Sequence, residues 1–281
     1  MTPAGKSIRD FLRRAGAAIH VEVAEAKGST PRETGTWMLV SADAIFGTIG
    51  GGQLEFLAID HARRMLAEGR AADRLDVPLG PDIGQCCGGR AALALREVDD
   101  GLAGELADGA DADHRRLPHV YLFGAGHVGH ALAEALALLP LRVVVADNRQ
   151  EAIGDLGDAV EARLTAVPES IVREAPAGSA FVVLTHEHAL DFLITGEALK
   201  RGDAAYVGMI GSKTKKETFR RWFSKNGGGD ARFEKLVCPI GGSAVRDKRP
   251  AVIAALAAAE IVTALSAVAR DAPAPVRASS R

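Results

Sequence analysis

Two spacings of apolar residues divide this chain into elements. Ile8, Phe11, Leu12 and Ala15 recur at i, i+3, i+4 and i+7 between Ser7 and Gly16, which predicts a capped helix that stops at a glycine. The period then drops to two: Ile19, Val21 and Val23 alternate with His20 and Glu22, and short strand-like runs follow at Trp37 to Val40 and Ile45 to Thr48. A helix is expected over Gln53 to Ala67, and Ala91, Leu93 and Leu95 alternate again, so a compact α+β domain should close near Val98. Further on, strand and helix patterns take turns: strand His119 to Phe123, helix His127 to Leu139, strand Leu141 to Ala146, strand Ala180 to Thr185, helix Leu190 to Lys200, strand Ala204 to Val207. Such alternation implies parallel strands joined by crossover helices. Pro250 opens a last helix.

Between the two patterns, six acidic residues (Asp99, Asp100, Glu105, Asp108, Asp111, Asp113) and three glycines precede Arg115, which reads as an exposed linker. The organisation expected is therefore an α+β domain over 1–98, an acidic linker over 99–117, an α/β domain over 118–270 and a disordered tail over 271–281.

Composition sharpens this. The 281 residues suffice for two cores, and 34 basic against 36 acidic side chains leave a net charge of −2, with no field for gripping nucleic acid. Three cysteines, two adjacent, make no disulfide framework, and Met1 to His20 has no apolar signal core, so the expected home is a reducing cytoplasm. Ala251 to Ala269 is of spanning length but carries Glu260, Thr263 and Ser266, which favours a half-buried helix over a membrane segment. Glycine stands out, at 31 residues, against an average of ~7% of a chain.

Much of that glycine lies in four bare loops. Gly124-Ala-Gly126-His-Val-Gly129 follows a strand and opens a helix, the context of a dinucleotide fingerprint. Gly124 permits the turn, Gly126 lets a pyrophosphate approach, Gly129 lets helix and strand pack, and His127 sits on the phosphate side. Asp147 ends the next strand, where a carboxylate accepts from a ribose 2′-hydroxyl; this favours NAD, and Arg149 weakens that preference. The second domain is thus a Rossmann-like doubly wound parallel sheet, with the nucleotide either bound or lost from a retained fold. In the first domain, Gly28 to Gly35 carries Thr30 and Arg32, and Gly47 to Gly52 sets Gly50, Gly51 and Gly52 before a helix. Both resemble anion cradles, and neither is a P-loop. Gly84 to Gly89 carries Cys86 and Cys87, which either pack as small thiols or contact a ligand. Their spacing disfavours zinc, and no metal site is expected.

At these residues the chain resembles the xanthine dehydrogenase accessory protein family of the XdhC/CoxI type. The likeness runs through Gly28-Ser-Thr-Pro-Arg32, Gly47-Thr-Ile-Gly-Gly-Gly52 with Glu55, Cys86-Cys-Gly-Gly89, Leu122-Phe-Gly-Ala-Gly-His-Val-Gly129, Thr185-His-Glu-His-Ala-Leu-Asp191, Tyr206-Val-Gly-Met-Ile-Gly-Ser-Lys213 and Cys238-Pro-Ile-Gly241. The resemblance implies a non-catalytic chaperone that binds the molybdenum cofactor, shields it during sulfuration and passes it to an apo molybdenum hydroxylase. Lys248 to Ala255 is similar to the xanthine dehydrogenase type, which makes that enzyme the expected client. A cysteine desulfurase as sulfurase and a homodimeric state are implied with it. Cargo contacts would fall at Thr30, Arg32, Gly50, Gly51, Gly52, Cys86, Cys87, His186 and His188.

The residues leave alternatives. His186 and His188 follow a strand whose carboxyl end borders the ligand crevice, and they serve a metal, a cofactor or the next helix start. Lys213, Lys215, Lys216, Arg220, Arg221 and Lys225, interleaved with Phe219, Trp222 and Phe223, form an amphipathic surface helix or a client-docking face. The other functional class is an NAD-dependent oxidoreductase acting on a small molecule.

Overall fold

The structure is a computed structural model and describes residues 3–80 and 88–271. Two compact units divide after Arg116.

Unit 1 holds α1 (Pro3–Ala15), β1 (Ile19–Lys27), β2 (Trp37–Val40), β3 (Ile45–Gly47), α2 (Gly52–Glu68), β4 (Ala72–Leu79), β5 (Gly89–Glu97) and α3 (Asp100–Arg116). Its antiparallel sheet has the order β3-β2-β1-β5-β4. The alternation in β1 sends Ile19, Val21 and Val23 to one face, where Leu54, Ala58, Ala62 and Met65 of α2 cover them. On the opposite side of the sheet, Leu39 packs with Ile8 and Phe11 of α1 and Ala107 of α3.

The acidic stretch is not the expected linker. Asp99 accepts a hydrogen bond from the Leu102 amide at 2.8 Å and caps α3. Leu106, Ala107 and Ala110 then form an apolar stripe against α1. The helices approach closely at Gly5, where a Cβ would stand 2.9 Å from the Ala107 carbonyl, and Arg9 reaches Asp108 at 2.9 Å. Three glycines and six acids masked that stripe. The strand β4 also escaped the apolar pattern, since Asp73, Arg74, Asp76 and Pro78 mark a charged sheet edge.

Unit 2 holds β6 (His119–Phe123), α4 (His127–Ala137), β7 (Arg142–Asp147), α5 (Gln150–Ile153), β8 (Glu161–Leu164), α6 (Pro168–Glu174), β9 (Ala180–Val183), α7 (His188–Arg201), β10 (Tyr206–Met209), α8 (Lys213–Lys225), α9 (Asp230–Phe233), β11 (Leu236–Val237) and α10 (Pro250–Asp271). The sheet is wholly parallel in the order β11-β10-β9-β6-β7-β8. Renumbered within the unit this is 3-2-1-4-5-6, the doubly wound Rossmann order, with its switch point between β6 and β9. Tyr121 and Phe123 face the α7 and α8 side with Phe219 and Phe223, while Val120 and Leu122 face α4 and α10. The helix α10 contains Pro250–Val268, long and apolar enough to cross a membrane; its Ala254, Ala257, Ala258, Ile261 and Leu265 belong to the unit's core. Of the expected tail, Asp271 closes α10 and the remainder lies outside the described residues.

Candidate functional site

The switch point is built from backbone that only glycine can supply. Gly124 has φ +112, and a Cβ there would lie 2.6 Å from the Leu184 carbonyl oxygen. A Cβ on Gly129 would lie 2.1 Å from the Gly124 carbonyl oxygen, so α4 can meet β6 this closely only as glycine. Gly126 differs. It is the N-cap of α4 with φ −80 and no side-chain cap, and a Cβ there would meet nothing within 4 Å. The protein's own packing gives no reason for a glycine at 126.

Asp147 closes the far side of the loop. Its Oδ2 accepts from the Ala125 amide at 2.8 Å and Arg149 Nη2 at 2.9 Å, and its Oδ1 from the Arg149 amide and Nε, both at 3.0 Å. A carboxylate has about four lone-pair sites, and four donors fill them. Burial pushes this carboxyl up, but the Arg149 guanidinium and the two amides outweigh it and hold the pKa at about 2. A ribose hydroxyl can therefore reach Asp147 only when Arg149 withdraws.

A narrow crevice at the switch point is lined by Gly124, Asp147, Asn148, Pro168, Thr185 and His186 among others. His186 thus reaches the site, with Nε2 at 3.5 Å from Glu187. His188 begins α7 and is exposed, as is His127 at the start of α4; neither lines the crevice. Among the described residues no group of three metal-ligating side chains gathers.

One feature of this rim was not anticipated from sequence. Asp191 is fully buried and accepts from the Thr185 amide at 3.1 Å, from Thr185 Oγ1 at 2.7 Å and from Lys215 Nζ. Lys215 Nζ also donates to the Ile210 carbonyl at 2.9 Å, so one buried ion pair ties the loops after β9 and β10 together. Lys215 is consequently not part of a docking face, and Phe219 and Phe223 are core residues. The available signal was Asp191 itself, an acid on a helical face otherwise made of Phe192, Ile194, Thr195 and Ala198.

In unit 1 the three bare loops converge. A Cβ on Gly50 would stand 2.7 Å from Pro31 Cβ and 3.1 Å from Arg32 Cγ, so the first and second loops touch. Ser29 bridges to Gly88, and Gly28 lies against Gly89, which brings in the third. Cys86 and Cys87 lie outside the described residues. The second loop is not an open anion cradle, because the chain fills it. Glu55 Oε2 accepts from the Thr48 hydroxyl, from the Ile49 amide at 3.0 Å and from the Gly51 amide at 3.2 Å. The Gly50 amide donates to Thr48 Oγ1 at 3.1 Å. Gly47, Gly50, Gly51 and Gly52 all have positive φ, which turns these amides inward toward the carboxylate. Thr30 Oγ1 donates to the Arg32 carbonyl at 3.0 Å. Arg32 itself is exposed, and its guanidinium has no ion-pair partner among the described residues.

Residues 120–261 match the model of the XdhC Rossmann domain, and residues 11–77 match that of the XdhC and CoxI family. This chain belongs to the XdhC and CoxI family. The uncharacterized protein YqeB of Escherichia coli (strain K12) is 29% identical over 243 residues, covering 78% of this chain and 38% of that protein. The chain thus spans well under half of that relative's length. A crystal structure of a xanthine dehydrogenase from Bacillus halodurans superposes with a TM-score of 0.75 at 18% identity, over 99% of this chain and 98% of that one. At that identity the likeness is one of fold, and it extends through both units of this XdhC-family chain.

Proposed function

We propose that this chain is an accessory protein of xanthine dehydrogenase that carries the molybdenum cofactor in the cytoplasm. In this reading it receives the cofactor, holds it while a cysteine desulfurase supplies sulfur, and releases it to the apo enzyme. The observation that carries the reading is Arg32, an exposed guanidinium with no ion-pair partner among the described residues, placed where three bare loops meet. A planar guanidinium suits the terminal phosphate of a pterin cofactor. Membership of the XdhC and CoxI family supports the same role. The Ile49 and Gly51 amides serve Glu55, so the cargo contacts fall to Arg32 with Thr30, Gly52 and the Cys86 to Gly89 loop. A carrier must release its cargo, and a micromolar dissociation constant corresponds to about 8 kcal/mol, within reach of a few charge-assisted hydrogen bonds net of association costs.

A second reading, an NAD-dependent oxidoreductase, draws on the Rossmann order and on the open space at Gly126. It is weakened by Asp147, whose acceptor sites are all occupied, and by His186, whose ring lies 3.5 Å from the carboxylate of Glu187. The deciding experiment is anaerobic purification from cells that make the cofactor, followed by molybdenum mass spectrometry and fluorescence of the oxidised pterin. Both should co-purify, and Arg32→Ala should lower the retained pterin. Absence of both, with tight NAD binding and hydride transfer, would establish the enzyme instead.

A further inference from the structure

The outward side of α2 begins where the three loops of unit 1 meet. Gly52 opens the helix, two residues after Gly50, which lies against Arg32. Gln53, Phe56, Leu57 and Asp60 follow at i, i+3, i+4 and i+7, and with Ile59 and Arg63 they line an open groove along the helix. Leu54, Ala58, Ala62 and Met65 hold the opposite face in the core. The solvent side of such a helix is ordinarily polar, yet Phe56 is 74% exposed. Among the described residues every other Phe, Tyr and Trp is buried or half-buried. The chain thus leaves this phenyl ring facing solvent one turn, about 6 Å, beyond Gly52.

A phenyl ring offers a flat apolar face on which a planar heterocycle stacks. Half-buried Leu57 extends that floor. The next turn brings Asp60, whose Oδ2 lies 3.3 Å from Arg64 and whose carboxylate keeps acceptor sites to spare. A carboxylate beside a stacking face suits a heterocycle edge that carries two N–H donors side by side. The 2-amino-4-oxo edge of a pterin carries them, in its N3–H and its amino group. The far end of the same cofactor carries the phosphate that the cargo reading gives to Arg32. Arg32, Phe56 and Asp60 therefore follow one another in the order in which the ligand presents its phosphate, its ring face and its aminopyrimidinone edge.

We infer that the outer groove of α2 holds the pterin ring system of the cargo, with Phe56 stacked on its face and Asp60 reading its aminopyrimidinone edge. The inference rests on the cargo reading above and assigns the end of the ligand opposite the phosphate. Free pterin and lumazine, which has a carbonyl in place of the 2-amino group, separate edge recognition from bare stacking. Calorimetric titration of the full chain should show saturable pterin binding and at least about tenfold weaker lumazine binding, because the added oxygen faces the Asp60 carboxylate. Phe56→Ala and Asp60→Asn should each weaken pterin binding about tenfold or more. Both side chains are exposed, so the thermal midpoints should stay at the wild-type value. Both variants should also lower the pterin that co-purifies, and Phe56→Tyr should keep it. Arg32→Ala should leave the binding of free pterin unchanged, since that probe has no phosphate. Equal binding of pterin and lumazine, or pterin binding indifferent to Phe56→Ala or to Asp60→Asn, would overturn the inference. Cofactor that co-purifies undiminished with those two variants would overturn it and leave the cargo reading standing, whereas a chain that neither retains cofactor nor binds pterin would remove both.

Discussion

The two glycine loops that open α2 and α4 pose the same problem, bare amides in front of a helix, and the chain answers each with one of its own carboxylates. The answers differ in where the acid comes from. Glu55 lies one turn into the helix that the loop opens, and it gathers three donors from that loop alone. Asp147 comes from a different strand, takes one loop amide and devotes its remaining acceptor sites to Arg149. The first loop is therefore closed by local structure and crowded against Pro31, while the second stays open at Gly126. Glycine content marks where backbone is bare; which donors remain available decides where a ligand can sit. In unit 1 that shifts attention from the glycines to Arg32, and in unit 2 it concentrates it on Gly126 and the α4 N-terminus.

The sharpest way to separate the two loops is through the buried charge that only the second one has nearby. Asp191→Ala leaves the Lys215 ammonium buried without its partner, which should cost about 3–5 kcal/mol. Calorimetry should show a lowered transition for unit 2 and an unmoved one for unit 1. Next comes Gly129→Ala. The nearest atom to its Cβ is the Gly124 carbonyl oxygen at 2.1 Å, backbone that cannot swing aside, so a loss of about 1–3 kcal/mol is expected by thermal melting. On the other side of the comparison, Glu55→Ala strands the Ile49 and Gly51 amides and should destabilise unit 1 by about 1–2 kcal/mol. If Glu55→Ala left unit 1 unchanged, the closure of that loop by its own carboxylate would be an incidental contact.

How much of this could be read from residues alone depends on how local each feature is. The Rossmann unit was legible because four of its strands are apolar runs and its fingerprint is a contiguous block from Gly124 to Gly129, whereas the edge strands β8, with Glu161 and Arg163, and β11, two residues long, were not expected. The helix α3 was not, because its apolar stripe is thin and becomes meaningful only against α1. The loops of unit 1 were recognisable as bare backbone. That Glu55 would fill one of them depended on the positive φ of four glycines, a property of the folded turn. The pair formed by Asp191 and Lys215 joins residues on two helices, and no spacing rule connects them.

Asp147 offers a pH test of the same contrast. Its folded pKa, about 2, lies below the 3.8 of the free group. A depressed carboxyl contributes stability that is complete above the unfolded value and is lost as pH falls through the folded one. The wild-type chain should therefore lose unit 2 stability progressively between those two values, and Asp147→Asn should lack that component of the slope in acid denaturation followed by circular dichroism. A variant with the wild-type slope would mean that the Arg149 contact does not persist in solution.

The smallest expected effect on stability is the most informative about ligand binding. At Gly126 a methyl group meets no atom within 4 Å and φ is −80, which any residue adopts, so Gly126→Ala should melt within about 0.5 kcal/mol of wild type. The same methyl would stand where a phosphate must approach the start of α4. If the crevice of unit 2 takes a nucleotide or the phosphate end of the pterin cofactor, this variant should lose that ligand while remaining folded, read as lost pterin retention or lost NAD binding by calorimetry. Gly51→Ala makes the matching control in unit 1: a Cβ there also has open space, but φ is +75, so the cost is backbone strain and the melt should fall. Equal melting of the two variants would show that openness at Gly126 carries no more meaning than openness at Gly51, and a Gly126→Ala chain that keeps its ligand would move the binding surface away from the fingerprint altogether.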